Sequence, residues 1–246
     1  MKNQLKLILR NIFFPIANAV PLQNWNYWGG RLYNIKLPAK VKSFKKPENG
    51  SSANINIIMH LLAKSNHLGG HIAECGVFQG ATLIPITYMM NRFNDQRKIY
   101  GFDSFEGFGK EAEEESRKDH TGHIDLETTM FKNTSIALIQ KKLKLTKTNT
   151  NNLILTKGFF EDSLPSASDK QFSFVHLDCD LATSYQTCLE FFYPRMESGG
   201  YILFDEYLDP VYTSATETID AFFANKLEKP IRIERDNYIK YYIQKQ

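Results

Sequence analysis

The chain has few cysteines, no long apolar run and almost no net charge, and each shortage excludes a class of protein. Its three cysteines, Cys75, Cys179 and Cys188, form no C-x-x-C pair and are odd in number, which argues against a disulfide framework and a zinc site. A reducing, cytoplasmic location is therefore predicted. No apolar stretch is long enough to span a bilayer. With 30 basic and 27 acidic residues, the chain gives no reason to expect a nucleic-acid partner.

What the chain does contain is a regular alternation of strand-like and helix-like segments. The 246 residues, 42% of them hydrophobic, are enough for the core of one α/β domain. Alternation of this kind predicts a doubly wound, mostly parallel seven-stranded sheet that helices cover on both faces. Helices are predicted at 55–62, 81–93, 135–143, 182–192 and 215–223. Strands are predicted at 71–75, 98–102, 152–155, 172–177 and 201–204, and an antiparallel C-terminal hairpin at 231–234 and 238–243.

Two segments fall outside this core. Residues 1–50 form an N-terminal extension before the domain at 51–246, and its leucines and isoleucines between residues 5 and 13 follow the spacing of an amphipathic helix. Such a helix is expected to pack on the core or on a partner subunit in a homo-oligomer, and less readily on a membrane surface. Residues 109–134 are a long polar insertion, which is typical of either a lid or a solvated loop.

Carboxylates follow two of the apolar runs. Asp178 directly follows the run at 172–177, and Asp205 and Glu206 directly follow the run at 201–204. In an open α/β sheet the ligand crevice lies outside the carboxyl ends of the strands, so the three side chains are expected to converge there. Like charges that close repel unless a cation or a proton lies between them, and oxygen ligands suit Mg²⁺. The alternative is that they cap helices or line solvated loops.

The segment 74–82, ECGVFQGAT, joins the first core strand to the next helix. Gly76 and Gly80 let a ligand approach the backbone, and the following helix offers free N–H groups. The spacing departs from G-x-G-x-x-G, which disfavours a dinucleotide. Glu74 either attracts a cationic ligand or accepts hydrogen bonds from the turn. Asp103 closes the second strand, where an acidic side chain can accept both hydroxyls of a ribose.

Five ordered blocks of sequence carry a specific resemblance. They are ECGVFQG (74–80), GFDSFEG (101–107), KGFFEDSLP (157–165), HLDCDL (176–181) and YPRMESGG (193–200). With these blocks the chain resembles the macrocin O-methyltransferase family from about residue 70 to its C-terminus. That family comprises enzymes that depend on S-adenosylmethionine and Mg²⁺ and methylate sugar hydroxyls of macrolide and aminocoumarin antibiotics. The fold it implies is the Rossmann-like class I methyltransferase fold.

The resemblance implies one set of residues around one site. The methionine part of S-adenosylmethionine would lie against Glu74, Gly76 and Gly80, its ribose against Asp103 and Ser104, and its adenine near Phe159, Glu161 and Asp162. Mg²⁺ would be held by Asp178, Asp205 and Glu206. The family usually has two aspartates at the last pair, so Glu206 departs from its pattern.

The expected function is therefore methylation of a sugar hydroxyl on a glycosylated small molecule or a glycan. A hydroxyl is a weak nucleophile until it loses its proton, which calls for a metal that lowers its pKa and a base that accepts the proton. Asp178 is the leading base, and His120 or His123 of the insertion would serve if Asp178 is only a ligand. The alternatives are a catechol-type methyltransferase, a cofactor-binding assembly protein that has lost catalysis, and an NAD dehydrogenase.

Overall fold

The protein is described from a computed structural model, which defines residues 51–109, 131–145, 147–235 and 238–246. The N-terminal extension and most of the polar insertion, including His120 and His123, lie outside the described residues. In the part of the chain that is described, no helix combines the length and the hydropathy that crossing a bilayer requires.

A seven-stranded sheet forms the centre of the described structure, in the order β3-β2-β1-β4-β5-β7-β6. Its strands are β1 (His71–Cys75), β2 (Ile99–Asp103), β3 (Leu153–Lys157), β4 (Phe172–Leu177), β5 (Met196–Phe204), β6 (Ile231–Arg235) and β7 (Tyr238–Gln244). The first five strands pair in parallel, whereas β7 runs antiparallel to both β5 and β6. The predicted doubly wound sheet with an antiparallel C-terminal hairpin is confirmed.

Helices cover both faces of this sheet. They are α1 (Ser51–Lys64), α2 (Leu83–Phe93), α3 (Ile136–Leu145), the single turn α4 (Phe160–Ser163), α5 (Ala182–Phe192) and α6 (Thr213–Phe223). Several predicted bounds were wrong, and the helix expected at 55–62, for example, spans Ser51–Lys64. The strand expected at residue 201 begins at Met196, because Met196 already pairs with Phe172 of β4 before a register shift that precedes the pair of Phe174 and Tyr201. The helix expected at residue 81 begins at Leu83, after a turn.

The alternation of side chains along the strands produces two separate cores. In β4, Phe174 points to a cluster with α1, α2 and α3, and its neighbour Val175 points to a cluster with α5 and α6. Both side chains are fully buried, and burying an apolar side chain of this size contributes roughly 1.5–3 kcal/mol. Packing on both faces fixes the sheet as a rigid platform. The carboxyl ends of β1, β2, β4 and β5 therefore meet at one edge, with the strand order reversing between β1 and β4.

Candidate active site

A cleft of about 1560 Å³ opens at this edge of the sheet. Sites that hold a single small ligand have volumes of up to roughly 1000 Å³. The cleft is larger than this, so it has room for two molecules side by side. Most of the predicted site residues line it: Gly76, Asp103, Ser104, Phe159, Glu161, Asp162, Asp178, Asp205 and Glu206. The other two, Glu74 and Gly80, are buried behind its wall.

The glycine turn after β1 is built around one close contact. Gly76 has a φ of +88°, and a Cβ atom there would lie 1.6 Å from the backbone oxygen of Asp178. Only glycine fits this position, because both the left-handed backbone and the overlap exclude a side chain. The Asp178 amide in turn donates to the Cys75 oxygen at 3.0 Å. The turn is thus locked against the end of β4, and the two halves of the cleft share a backbone contact.

Asp103 holds the floor of the cleft on the glycine-turn side. Its Oδ2 accepts the Phe78 amide at 2.7 Å, and its Oδ1 accepts the Phe105 amide at 2.6 Å. Burial raises the pKa of Asp103, although these backbone hydrogen bonds oppose the rise. Each carboxylate oxygen has a second lone pair, so the two can still accept ribose hydroxyls. Ser104 closes the next turn by donating to the Gly107 oxygen at 2.6 Å.

Glu74 lies beneath the turn in a buried polar network. Its Oε1 accepts a hydrogen bond from the Thr82 hydroxyl, which precedes α2, and lies 3.1 Å from Nδ1 of His176. Glu74 and His176 are register partners on β1 and β4, and both side chains are fully buried. Glu74 therefore contributes to the order of the interior of the site. Its partners are a hydroxyl and an imidazole rather than amides of the turn, and its contact with the cofactor stays a prediction.

The acidic side of the cleft brings together Asp178, Asp205 and His176. One potential ligand atom from each of these residues lies within 4.8 Å of the others, which makes this group a candidate metal site. Burial and the charges of Asp205 and Asp180 raise the pKa of Asp178 well above its usual range. For His176, burial alone would lower the pKa, but Asp205, Glu74 and Asp178 raise this pKa to about 10. Both shifts report a strongly negative field that favours a cation.

Lys240 of β7 balances part of this charge. Its Nζ lies 2.7 Å from Asp205 Oδ1 and donates to the Asp205 backbone oxygen at 2.6 Å. Burial would raise the pKa of Asp205, but Lys240 and His176 hold it below its usual range. The pKa values of the neighbouring carboxyl groups of Asp205 and Asp178 are thus shifted in opposite directions. Divergent pKa values in neighbouring carboxylates are typical of functional sites.

Glu206 is oriented differently from its neighbour Asp205. It is 3% exposed, and its Oε2 lies 2.6 Å from the Tyr185 hydroxyl and accepts the Asp180 amide at 3.3 Å. Burial and the charges of Asp205 and Asp178 raise its pKa well above the usual range. Glu206 lines the cleft but is not part of the group with close ligand atoms. Its role as a metal ligand stays a prediction.

The predicted adenine side lies at the opposite end of the cleft, around α4. Phe159 is 40% exposed there, and Glu161 Oε1 accepts the Thr187 hydroxyl at 3.2 Å. The end of the polar insertion also reaches the glycine turn, since the Phe131 ring packs edge-on against Phe78 with centroids 5.2 Å apart. Exposed aromatic and apolar atoms at this end suit a flat ring system.

Three residues of the site were missed by sequence reasoning. His176 lies on β4 two residues before Asp178, which directly follows that strand, so the alternation of side chains was a usable signal for their shared face. Lys240 comes from a strand 35 residues after Asp205, and no local pattern points to it. Asp180 has φ +60° and lines the cleft, and its pKa is raised to about 7, first by burial and then by Asp205 and Asp209.

The fold and the cleft define a class of protein: this is a Rossmann-like methyltransferase fold. The solved O-methyltransferase NovP shares it with a TM-score of 0.67 and 22% identity, over 78% of this chain and 79% of that one. Within the class the chain belongs to the macrocin O-methyltransferase family, whose model matches residues 54–243. The family suggested by the five sequence blocks is confirmed.

Curated relatives from this family methylate natural products, as their names state. The chain is 23% identical to mycinamicin III 3''-O-methyltransferase of Micromonospora griseorubida, over 65% of each chain. It is 26% identical to 8-demethyl-8-(2,3-dimethoxy-alpha-L-rhamnosyl)-tetracenomycin-C 4'-O-methyltransferase of Streptomyces olivaceus, over 56% of this chain and 53% of the relative. The chain therefore spans less than two thirds of the length of either relative.

Proposed function

We propose that the protein is an O-methyltransferase that uses S-adenosylmethionine and Mg²⁺ to methylate a sugar hydroxyl on a glycosylated small molecule or a glycan. The single observation that carries the proposal is the contact between Gly76 and Asp178, which joins a cofactor-type glycine turn to an acidic cation site. A methyl donor and an acceptor hydroxyl beside the candidate cation site would then meet in one cleft. Family membership supports the same reaction.

The glycine-turn side fits S-adenosylmethionine. Gly76 leaves the backbone of the turn open to a ligand, and Asp103 and Ser104 line the cleft beside it. The acidic surroundings favour a ligand with positive charge, as the sulfonium and the amino group provide. Phe159, Glu161 and Asp162 would hold the adenine end. S-adenosylmethionine bound there would supply an electrophilic methyl group for the acceptor oxygen.

The acidic side fits a divalent cation. Asp178 and Asp205 supply hard oxygen donors, and the raised pKa of Asp178 reflects burial together with repulsion from Asp205, both of which a cation would compensate. Asp178 and Asp205 would hold Mg²⁺, with Glu206 as the third ligand that the family pattern predicts. Bound Mg²⁺ supplies the positive charge that lowers the pKa of a sugar hydroxyl.

Asp178 is the proposed base. It lines the cleft, and its backbone oxygen contacts Gly76, so this residue lies where the two halves of the cleft meet. It would accept the hydroxyl proton on a carboxylate oxygen as the methyl group is transferred. Lys240 keeps Asp205 ionised, so the two neighbouring carboxylates have different roles.

The acceptor is proposed to carry a sugar. The Streptomyces olivaceus relative is named for a rhamnosyl substrate, and the cleft has unfilled volume beyond that of one ligand. Tyr212 and Tyr238 line the cleft on the acidic side, where aromatic rings can pack on the apolar face of a sugar. We further propose residues 51–246 as the catalytic domain and residues 1–50 as the element through which a homo-oligomer forms. The cytoplasmic location stays a prediction.

Turnover with isotope-labelled S-adenosylmethionine tests the proposal. The acceptor panel contains glycosylated macrolides, the same compounds without the sugar, and simple catechols, each with Mg²⁺ and with a chelator. We expect labelled product from glycosylated acceptors only, and only with the metal. Methylation of catechols would replace the sugar assignment, and turnover in chelator would remove the metal from the mechanism. Failure to bind S-adenosylmethionine in a calorimeter would contradict the enzyme function altogether.

A further inference from the structure

The cation site contains a nitrogen atom that the carboxylate pattern does not account for. His176 is fully buried, and its Nε2 has no hydrogen-bond partner, although it lies 3.7 Å from Asp205 Oδ1. It belongs to the group whose ligand atoms all lie within 4.8 Å of one another. A buried polar atom without a partner costs free energy unless a ligand completes it.

The other side of the imidazole is already fixed. Nδ1 lies 3.1 Å from Glu74 Oε1, and Glu74 is itself held by the Thr82 hydroxyl. In the neutral imidazole, which a bound metal favours by displacing a proton, a hydrogen bond from Nδ1–H to a carboxylate leaves the lone pair on Nε2. Metal-binding histidines usually have such a carboxylate partner. Glu74 and Thr82 thus present His176 in the tautomer and orientation that a metal ligand requires.

The strand geometry directs His176 and Asp178 to the same place. Asp178 directly follows β4, two positions after His176, and its amide continues the pairing with β1 through the Cys75 oxygen, so the two side chains project to one face of the sheet. Glu206 is less well placed, because its Oε2 is occupied by the Tyr185 hydroxyl at 2.6 Å and the Asp180 amide at 3.3 Å. The third ligand atom near Asp178 and Asp205 is therefore a histidine nitrogen.

We propose that His176 Nε2 is a ligand of the cation site, together with Asp178 and Asp205. This inference rests on the metal half of the proposed function and changes its ligand set. A site with one imidazole and two carboxylates suits a transition-metal ion such as Mn²⁺ better than a site of oxygens alone, because nitrogen ligands favour transition metals over Mg²⁺. Mg²⁺ can occupy the same position, but it gains less from the nitrogen.

Pulsed electron paramagnetic resonance on the Mn²⁺-loaded full-length protein tests the ligand directly. We expect electron spin-echo modulation from a coordinated ¹⁴N nucleus, which changes when only the histidines are labelled with ¹⁵N. A double variant, His120→Ala with His123→Ala, should keep the modulation, since those histidines belong to the insertion. Mn²⁺ that binds without nitrogen modulation would overturn the inference and leave an all-oxygen metal site standing.

Two substitutions of His176 separate the ligand atom from the rest of the ring. In His176→Asn the side-chain amide can still donate to Glu74, but no atom takes the position of Nε2. The longer side chain of His176→Gln places an amide oxygen near that position. We expect His176→Asn to weaken Mn²⁺ binding by about 10- to 100-fold, the range for disturbing a metal site. His176→Gln should recover part of this loss, while Mg²⁺ binding changes little in either variant.

Asp209→Asn is the matched control, because Asp209 lines the same cleft outside the candidate metal group. It should leave Mn²⁺ affinity close to wild type, and a larger loss in Glu206→Gln than in His176→Asn would overturn the inference. If neither His176 variant folds, the modulation in the wild-type protein decides alone. Absence of any divalent-cation binding would contradict this inference and the metal half of the proposed function together. Nitrogen modulation without methyl transfer to any acceptor would support the site and contradict the function.

Discussion

Asp103 and Asp178 end neighbouring parts of the same sheet edge, yet their surroundings are opposite. Asp103, on the glycine-turn side, accepts backbone amides on both oxygens, at 2.7 and 2.6 Å. Asp178, on the acidic side, has Asp205, Asp180 and Glu74 as like-charged neighbours. Burial raises the pKa of both, but hydrogen bonds oppose the rise at Asp103 and negative charges add to it at Asp178.

The two sides of the cleft therefore differ in what they need from a ligand. The protein itself supplies the hydrogen bonds that hold Asp103, whereas the acidic side needs a ligand to balance its charge. The amides of Phe78 and Phe105 hold the Asp103 carboxylate in position before any ligand arrives, which reduces the cost of ordering it on binding. The acidic side has Lys240 as its one lysine or arginine among the described residues that line the cleft. A divalent cation would stabilise that side far more than the glycine-turn side.

The largest expected effect comes from removing the charge of Asp178. Asp178→Asn should lower turnover by about 10²- to 10⁴-fold, the usual contribution of a general base, with loss of metal affinity adding to it. Binding of S-adenosylmethionine should change by only a few fold, because the cofactor residues lie on the other side. Single-turnover rates and calorimetry measure the two quantities.

Asp209→Asn is the control for this substitution. Asp209 lines the same cleft, so its loss changes the charge of the cleft equally, but it is outside the candidate metal group. It should keep most of the turnover. A comparable loss in both variants would mean that the overall charge matters, and a large loss of cofactor binding in Asp178→Asn would place Asp178 on the cofactor side.

The second effect tests the contact that joins the two sides. In Gly76→Ala the new Cβ would lie 1.6 Å from the Asp178 backbone oxygen, so the strand ends must move apart. We expect a loss of about 3 kcal/mol or more in the free energy of unfolding, from overpacking plus a strained backbone. Urea denaturation measures this loss, and cofactor and metal binding should weaken together.

Gly199→Ala separates the overlap from the backbone strain. Gly199 has a similar φ of +86°, but a Cβ atom there would approach nothing closer than 3.9 Å. Its cost should be only the roughly 1–2 kcal/mol of a left-handed alanine. Equal losses in the two glycine variants would show that the close contact between β1 and β4 is relaxed in solution.

This contrast also explains which parts were predictable from the sequence. The strands of the sheet and the position of Asp103 could be predicted from local patterns. Apolar runs indicate the strands, and an acidic residue after the second strand lies at the carboxyl edge of the sheet. The position of His176 could also be predicted from a local pattern, the alternation of side chains along β4. The position of Lys240 could not, because its approach to Asp205 depends on how the hairpin pairs with β5. The orientation of Glu206 depends equally on Tyr185, which lies 21 residues earlier.

The third prediction concerns pH in the protein with chelator. Burial, with Asp205 and Asp209, raises the pKa of Asp180 to about 7. The folded state then holds this proton more tightly than the unfolded state, so its stabilising contribution, complete below the ordinary pKa of about 3.8, is lost as the pH rises through about 7. The slope is at most about 1.4 kcal/mol per pH unit for this group.

Urea denaturation across this pH range checks that prediction, with Asp180→Asn as the comparison. The variant should show a flatter decline, and Mg²⁺ should flatten the wild-type curve by compensating the acidic side. A wild-type curve that rises with pH over the same interval, after correction with the variant, would contradict the assigned direction of the Asp180 shift.

The smallest expected effect lies on the glycine-turn side. Ser104 donates to the Gly107 oxygen at 2.6 Å and accepts the Glu106 amide at 3.1 Å, so Ser104→Ala should cost about 0.5–1.5 kcal/mol of stability. Ser166→Ala removes a similar bond, at 2.7 Å to the Ser163 oxygen, outside the cleft. Both variants should lose similar stability in urea, but only Ser104→Ala should weaken S-adenosylmethionine in calorimetry. Because the turn is already formed before the ligand binds, a less rigid turn should lower the affinity for S-adenosylmethionine and leave Mn²⁺ binding unchanged. Equal cofactor affinity in the two variants would instead show that Ser104 serves the fold alone.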